Sequence, residues 1–208
     1  MHPKDEQMSR IFLHVGPGGK TKERTTREFA KPEWRELRLD IDPSVAADIQ
    51  GSILDMSDVQ DGSVDAVYSS HNLEHIYFHE VPRALAEFSR VLSDDGYVVL
   101  TCPDLESVCL QVSTKGLDGV LYESPAGPIT ALDIMYGHGQ SLRAGNLFMA
   151  HKCGFTKKTL TESFISAGFS KTATAARGAP FYDLWITATK FRIEDDDLRR
   201  TAELHFPT

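Results

Sequence analysis

Residues 11–20 read Ile11-Phe12-Leu13-His14-Val15-Gly16-Pro17-Gly18-Gly19-Lys20, an apolar run that passes directly into a glycine turn. The apolar run predicts a buried strand, and the glycines let the backbone approach a ligand without an intervening Cβ. A second strand closes about 24 residues later at Leu39-Asp40-Ile41-Asp42-Pro43. A carboxylate at the end of such a strand can accept hydrogen bonds from a ribose diol. The turn and the acid together predict a nucleoside-type ligand.

Strands and helices alternate along the following hundred or so residues. Short strands are predicted at residues 47–49 and 64–69, and a buried strand at 97–102, stopped by Pro103. Between them, apolar residues recur at helical spacing over residues 81–92 and predict one amphipathic helix. This alternation is typical of an α/β protein with a parallel sheet covered on both faces.

The C-terminal part ends differently. Thr156 is suited to cap a helix that runs to about Ala167. Two β-like segments follow at residues 170–175 and 181–189, with a turn short enough for a hairpin. We therefore expect an antiparallel pair at the edge of the sheet. The charged tail at 194–200 reads as a solvated face or a frayed helix, and we assign it no function.

A long segment separates the fifth strand from this C-terminal part. Residues 104–153 are too many for a simple connection, and segments of that length usually carry structure or function. In open α/β sheets, ligands bind beyond the carboxyl ends of the strands, which is where this insertion leaves the sheet. We expect a single domain over residues 1–208, in which the insertion either roofs the site or is a decorative helical excursion.

Composition limits the classes of function. The 208 residues are 41% hydrophobic, with a formal net charge of −8 and a pI of about 5.4. A large nucleic-acid interface is disfavoured, because phosphate backbones attract basic proteins. No apolar run is long enough for a membrane span, and residues 1–6 are too polar for a secretory signal. Three cysteines without metal-type spacing favour a reduced, cytoplasmic compartment and argue against a metal site. The sequence does not fix the oligomeric state, and a homodimer is one possibility. The cysteines are Cys102, Cys109 and Cys153.

With these segments in order, the chain resembles the class I S-adenosylmethionine-dependent methyltransferases. It is most similar to small bacterial predicted methyltransferases with an SSHxLEH segment, and the likeness covers roughly residues 10–190. No single piece is specific, but their order and spacing are. The residues that carry the likeness are 15–19 (VGPGG), 39–43 (LDIDP), 63–75 (SVDAVYSSHNLEH), 89–96 (SRVLSDDG), 102–105 (CPDL), His151 and 167–169 (AGF).

This resemblance implies a Rossmann-like, doubly wound, mainly parallel seven-stranded sheet with a final antiparallel strand and a helical insertion after the fifth strand. It implies S-adenosyl-L-methionine as the cofactor. The glycine turn would pass under the amino-acid and ribose portions, Asp40 would hold the ribose hydroxyls with Asp42 as the fallback, and Ser69 would face the methionine end. The segment from Ser52 to Asp55 would flank the adenine. The implied cofactor-binding residues are His14, Gly16, Gly18, Asp40, Ser52, Ile53 and Ser69.

Two positions depart from the family pattern. Family members usually carry an acid just before the Val-Gly step, where this chain has His14. That acid commonly helps to hold the methionine amino group. Lys20 replaces the third glycine of the turn, although Gly19 can supply the flexibility. The missing acid puts the affinity for the cofactor in doubt.

Methyl transfer from a sulfonium is an in-line displacement, so alignment of nucleophile and methyl group is the main task of the enzyme. An oxygen or nitrogen nucleophile often also needs a base, which histidine can supply near neutral pH. The leading hypothesis is a methyltransferase for a small-molecule or sugar-like acceptor, with His71 first among the candidate bases. Those candidates are His71, His75, His138 and His151. In the insertion, polar and aromatic side chains would shape the acceptor pocket: Tyr122, Tyr136, Gln140, Arg143, Asn146 and Phe148.

Two alternatives stay open. The chain could be a non-catalytic relative of the same fold that binds an S-adenosyl ligand or a partner, an idea favoured by His14 in place of the acid. It could also be a nicotinamide-dependent oxidoreductase, but a G-x-G-x-x-G pattern would need glycine where Thr21 stands.

Overall fold

The strand that precedes the glycine turn lies in the middle of a seven-stranded sheet. The computed structural model describes residues 9–207. The strands are β1 Arg10–Val15, β2 Trp34–Asp40, β3 Ile49–Gln50, β4 Val64–Ser70, β5 Leu92–Pro103, β6 Val120–Ser124, β7 Gly127–Thr130, β8 Lys171–Arg177 and β9 Asp183–Thr189. Their order in the sheet is β3-β2-β1-β4-β5-β9-β8, with β9 antiparallel to both of its neighbours and the first five strands of this order parallel. The α-helices are α1 Val81–Val91, α2 Leu105–Lys115, α3 Ala131–Tyr136, α4 Gly139–Arg143, α5 Lys157–Ser166 and α6 Asp195–His205.

Both faces of the sheet are covered, as the near-continuous apolar sequence of β1 predicts. Leu13 and Val15 face the main core, which α1 and α5 cover. Phe12, from the opposite face of the same strand, stacks on Phe29 with ring centroids 4.4 Å apart. Each of these fully buried side chains contributes roughly 2–3 kcal/mol of hydrophobic free energy. The predicted doubly wound, mainly parallel sheet is confirmed.

Helix α1 is confirmed with a shorter C-terminus than the apolar pattern suggested. Its buried stripe includes Val81, Leu85 and Phe88. The fourth stripe position, Leu92, is also buried but already starts β5. The Lys190 ammonium donates to the Leu92 carbonyl at 2.5 Å and so caps the backbone where helix turns to strand.

The C-terminal elements follow the sequence pattern except in the tail. The Thr156 hydroxyl caps α5, and β8 and β9 form the expected antiparallel pair. The tail is the ordered helix α6, so the frayed alternative is wrong, whereas residues 194–200 do form the expected solvated face, in which Leu198 alone is buried. His205 near its end is buried against Thr26 and Tyr97, two contacts that the charged first turn does not reveal.

The insertion at residues 104–153 is more than a helical excursion. It contains α2, α3 and α4, but also the two-stranded hairpin β6–β7. Helices α2 and α3 and the hairpin share a small apolar cluster, which includes Val108, Leu121 and Ile134 and is completed by Tyr182. The hairpin was not predicted, because its strands are short and only Leu121 and Ile129 of it are buried.

Candidate active site

A cavity of about 530 Å³ opens at the carboxyl edge of the sheet. The ends of β1 and β2 form one side of it, and residues 51–54 continue that wall. The segment that follows β4, from His71 to Glu80, forms the opposite side, and residues 146–152 of the insertion complete it. The volume lies in the range of small-molecule and cofactor sites. The cavity therefore lies where open α/β sheets bind ligands.

The glycine turn is shaped by two left-handed residues. Gly16 has φ +64° and Gly18 has φ +52°, values that favour glycine. A Cβ on Gly16 would also lie 2.6 Å from Cγ of Asn72, whereas one on Gly18 would meet nothing within 4 Å. Both glycines line the cavity. Gly16 is therefore required by space and conformation, and Gly18 by conformation alone.

Asp40 presents a buried carboxylate at the cavity. Its Oδ2 accepts a hydrogen bond from the Gly18 amide at 2.9 Å, and its Oδ1 accepts one from the Asp42 amide, also at 2.9 Å. These two bonds fix the plane of the carboxylate and leave further lone pairs for hydroxyl donors. Asp42 differs, because it is only partly buried and its Oδ1 is occupied by the amide and hydroxyl of Ser44. Those hydrogen bonds lower the pKa of Asp42.

The predicted adenine-flanking segment also lies at the cavity. Ser52 and Ile53 both line it, and Ile53 is buried. The Ser52 hydroxyl accepts a hydrogen bond from the Leu54 amide at 3.1 Å, which holds this turn in shape. Ile41 adds an exposed apolar side chain on the neighbouring wall. The segment offers the apolar surface that a flat heteroaromatic base packs against.

His14 and Ser69 are two predicted cofactor residues that do not line the cavity. The His14 ring is buried on the aromatic side of the sheet, where Nδ1 donates to Oε1 of Glu36 at 2.6 Å. Burial lowers the pKa of His14, although Glu36 acts in the opposite direction. The Ser69 hydroxyl is fully buried and has no hydrogen-bond partner within residues 9–207. The position of the family acid is therefore filled here by a histidine that is turned away from the cavity.

The four candidate bases separate into two groups. His71 and His75 line the cavity, whereas His138 and His151 do not. His71 has a left-handed φ of +50°, its amide donates to the Thr101 carbonyl at 2.8 Å, and 46% of its side chain is exposed. A non-glycine residue in this conformation is strained, a feature that is concentrated at functional sites. His138 Nδ1 lies 2.8 Å from the hydroxyl of Ser141 in the insertion.

Three of these histidines surround Glu74. The carboxylate is fully buried, and His71 Nδ1 lies 3.4 Å from its Oε1. The rings of His75 and His151 meet edge to face with centroids 4.9 Å apart. Burial lowers the pKa of His151, which keeps its imidazole neutral near pH 7. The structure therefore brings His71, His75 and His151 together, although His151 is far from the other two in sequence.

Several cavity residues were missed by sequence reasoning. Asn72 lines the cavity beside Gly16, and its Nδ2 is buried without a partner in residues 9–207. Tyr77 and Lys152 lie together there, with the ammonium 5.2 Å from the ring centroid. Asn72 directly follows the β4 end, so the rule that ligands meet strand ends could have found it. Of the six insertion residues expected to shape the pocket, Asn146 and Phe148 line this cavity.

Comparison with known proteins places the fold in a defined class. Residues 13–100 match the family model of a methyltransferase domain. A comparison with curated proteins finds no match. Among solved structures, an S-adenosylmethionine-dependent methyltransferase from Thermotoga maritima is similar, with a TM-score of 0.55, 16% identity, and 87% of this chain and 82% of that chain covered.

Two further structures have the same architecture. A methyltransferase from Methanosarcina mazei gives a TM-score of 0.52 and 14% identity, over 89% of this chain and 94% of that one. The 1,6-didemethyltoxoflavin-N1-methyltransferase of Burkholderia thailandensis was solved with 1,6-didemethyltoxoflavin and S-adenosylhomocysteine bound. Its TM-score is 0.51 at 16% identity, with 88% of this chain and 71% of that chain covered. Residues 13–100 therefore resemble a methyltransferase domain, and the chain has the fold of these S-adenosylmethionine-dependent methyltransferases.

Proposed function

We propose that this chain is a methyltransferase that transfers the methyl group of S-adenosylmethionine to a small-molecule or sugar-like acceptor. The observation that carries the proposal is the Asp40 carboxylate. It is buried at the cavity and oriented by the Gly18 and Asp42 amides. A carboxylate held in this way, beside a glycine turn, matches the hydrogen-bonding needs of a ribose diol.

The residues present fit the cofactor. Gly16 leaves the backbone open beside Asn72, whose Nδ2 has no partner among residues 9–207 and can donate to a carboxylate or hydroxyl. Asp40 would accept from the ribose hydroxyls, and the Ser52–Ile53 turn would pack against the adenine. Bound there, the cofactor supplies an electrophilic methyl group on a sulfonium. His14 takes no part in this assignment because its ring pairs with Glu36 instead.

The acceptor is assigned to the side of the cavity that the insertion closes. Asn146, Phe148 and Met149 reach the cavity from this segment and mix polar and apolar contacts. A cavity of about 530 Å³ suits a cofactor with a small acceptor. The Burkholderia thailandensis neighbour also holds a small molecule, 1,6-didemethyltoxoflavin. We extend this acceptor class to the present chain as a proposal.

His71 is our first candidate for the base that receives the acceptor proton. It lines the cavity, its backbone is held by Thr101, and its ring is partly exposed to the space where an acceptor would lie. His75 shares the lining but uses Nδ1 on the Ala150 carbonyl. With an acceptor found by screening, His71→Ala should lower turnover by at least about a hundredfold, while affinity for S-adenosylhomocysteine stays unchanged.

The proposal also covers the cellular compartment and the partners of the chain. Within residues 9–207, no helix combines the length and apolar character needed to cross a bilayer. Cys102, Cys109 and Cys153 are all free thiols, which accords with a reduced, cytoplasmic compartment. The acidic net charge of −8 disfavours a large nucleic-acid interface. A homodimer stays open as its oligomeric state.

Calorimetric titration with S-adenosylmethionine and S-adenosylhomocysteine tests the proposal. We expect Asp40→Asn to weaken binding at least tenfold, because hydrogen bonds to a charged group contribute about 1.5–3 kcal/mol. Asp42→Asn should change the binding of either compound little, because the Asp42 carboxylate already accepts hydrogen bonds from Ser44. Asp58→Asn, at an exposed position, controls for the loss of one charge. The proposal is wrong if the unmodified chain binds neither compound at millimolar concentration, or if Asp40→Asn binds as well as Asp58→Asn.

A further inference from the structure

Glu74 is a buried carboxylate without a sufficient partner. Its side chain is fully buried, and neither Oε1 nor Oε2 accepts a hydrogen bond from any group in residues 9–207. His71 Nδ1, at 3.4 Å from Oε1, is within ion-pair distance but lacks hydrogen-bond geometry. A buried charge is costly unless it is paired or coordinates a metal. His71 is thus the one cationic side chain in an ion pair with Glu74 among residues 9–207, and because it makes no hydrogen bond, both carboxylate oxygens can accept a further cation.

Two histidines beside this carboxylate, His75 and His151, each use one ring nitrogen on a backbone carbonyl. His75 Nδ1 lies 3.0 Å from the Ala150 carbonyl oxygen, and His151 Nδ1 lies 2.7 Å from the Ile134 carbonyl oxygen. A carbonyl oxygen can only accept, so both Nδ1 atoms carry the proton. In the neutral rings the lone pair is then on Nε2. This arrangement, with one ring nitrogen bound to a carbonyl, is typical of histidines that ligate metals.

The three side chains converge closely enough to share one ion. One ligand atom each from Glu74, His75 and His151 lie within 4.8 Å of one another. Ligands around a tetrahedral zinc ion lie roughly 3.4 Å apart, given bonds of about 2.1 Å. Small side-chain rotations would close that difference, and His75 and His151 are only partly buried.

The three ligands come from two segments that are distant in sequence, and the backbone holds these segments together. Glu74 and His75 belong to the short 3-10 helix Leu73–His75 after β4, and His151 ends the insertion. The amides of Lys152 and Cys153 both donate to the Glu74 carbonyl oxygen, at 2.8 and 3.2 Å. The backbone around the cluster is therefore fixed before any ion enters.

We propose that Glu74, His75 and His151 bind a divalent transition-metal ion, with Zn²⁺ as the best match. Two imidazoles and one carboxylate are a ligand set of zinc sites that keep a fourth position open. The same set can hold Fe²⁺ or Co²⁺, whereas Mg²⁺ and Ca²⁺ prefer oxygen ligands. Because His75 also lines the cavity, the ion would lie beside the cavity. It would also link the end of the insertion to the edge of the sheet.

Metal titration without any S-adenosyl compound tests this proposal, and its result does not depend on the proposed methyl transfer. The purified full chain is treated with a chelator and titrated with Zn²⁺ by calorimetry. Co²⁺ is then added to a second sample, and its visible absorption is recorded. We expect one Zn²⁺ per chain, a higher melting temperature with the ion, and the intense visible bands of four- or five-coordinate Co²⁺.

Variants locate the ion. Glu74→Gln and His151→Ala should each weaken Zn²⁺ binding at least about a hundredfold, because even outer-shell partners of metal ligands change affinity by 10–100-fold. His79→Ala, an exposed histidine of the neighbouring turn, should bind as the unmodified chain does. Circular dichroism confirms that each variant folds, and the Co²⁺ spectrum of the unmodified chain needs no variant.

Three outcomes would overturn the proposal. The unmodified chain could fail to bind Zn²⁺ below millimolar concentration, its Co²⁺ spectrum could stay that of the hydrated octahedral ion, or both ligand variants could retain full affinity. In the last case Zn²⁺ binds elsewhere on the chain.

Discussion

Buried polar side chains lack hydrogen-bond partners more often at the carboxyl edge of the sheet than on its aromatic side. On the aromatic side, His14 pairs with Glu36, and His205 contacts both Thr26 and Tyr97. At the carboxyl edge, five side-chain atoms of four residues are buried without a partner in the described chain. They belong to Ser69, Asn72, Glu74 and Thr101; the other such atoms of the described chain are Arg38 Nε, Trp185 Nε1 and Thr187 Oγ1.

This difference distinguishes polar groups that stabilise the fold from polar groups that are available to bind a ligand. Buried polar atoms in folded proteins are nearly always hydrogen-bonded, so a local concentration of exceptions needs an explanation. At the carboxyl edge the exceptions lie beside or near the cavity, where a cofactor, an acceptor or an ion can supply the missing partners. We therefore expect substitutions on the aromatic side to change stability, and substitutions at the carboxyl edge to change binding.

The largest stability effect is expected for His14→Glu. The new carboxylate would lie beside Glu36 in a buried site, and we expect a loss of about 4 kcal/mol in the free energy of unfolding, measured by urea denaturation. His14→Gln keeps a donor for Glu36 and should lose less than about 1 kcal/mol. The same proteins test the non-catalytic alternative. If His14→Glu instead gains affinity for S-adenosylmethionine, the binding site has decayed by loss of its acid.

The next largest effect is a pH dependence from His205. Burial lowers its pKa to about 4, with Arg10 and Lys31 acting in the same direction and Glu28 against it. Between pH 6.5 and pH 4, His205 is protonated in the unfolded chain but not in the folded chain. Its contribution to the free energy of unfolding is therefore fully present above pH 6.5. It should fall by about 3 kcal/mol as the pH drops from 6.5 to 4.

His205→Gln provides the control for this pH dependence. Glutamine can hydrogen-bond with Thr26 and Tyr97 but does not titrate, so its variant should lack the His205 share of the decline. Equal pH slopes for the two proteins, measured by denaturation at pH 4 to 7, would contradict the assignment of this share to His205.

At the carboxyl edge, Gly16→Ala should cost about 2 kcal/mol. The left-handed φ alone costs about 1 kcal/mol, and the added Cβ displaces the Asn72 side chain. Gly18→Ala carries the conformational cost alone. In an Asn72→Ala background the two alanine variants should become equally stable. A difference that persists there would show that Asn72 is not the obstacle.

The smallest effect is expected for Ser69→Ala. Its hydroxyl is buried without a partner, so its removal should leave the melting temperature unchanged or slightly higher. A loss above about 1 kcal/mol would mean that the hydroxyl makes a hydrogen bond that supports the fold.

Most of the fold could be predicted because it is encoded locally. The apolar run of β1, the glycine turn and the helical spacing in α1 are each visible within about ten residues. The parallel sheet and its final antiparallel pair followed from the order of such segments. The exact end of α1 did not, because Leu92 fits the helical stripe and the strand equally well.

The candidate site was predicted only where it depends on neighbouring residues. Gly16 and Gly18 follow the end of β1, Asp40 is the last residue of β2, and all three were found in this way. The cluster of Glu74, His75 and His151 was not, because its parts meet across the chain: His75 contacts Ala150, 75 residues away. The order of α6 likewise depends on His205 and Thr26, 179 residues apart. Contacts of that range leave no local pattern in a single sequence.

Hydrogen–deuterium exchange, with and without saturating S-adenosylhomocysteine, tests most directly whether the unpaired carboxyl edge is the binding site. We predict slower exchange of backbone amides in residues 13–20, 39–42, 51–55 and 69–75. Residues 26–36 and 199–206, on the aromatic side, should exchange as in the free chain. Absence of any protection, or protection confined to the aromatic side, would contradict this account of the molecule.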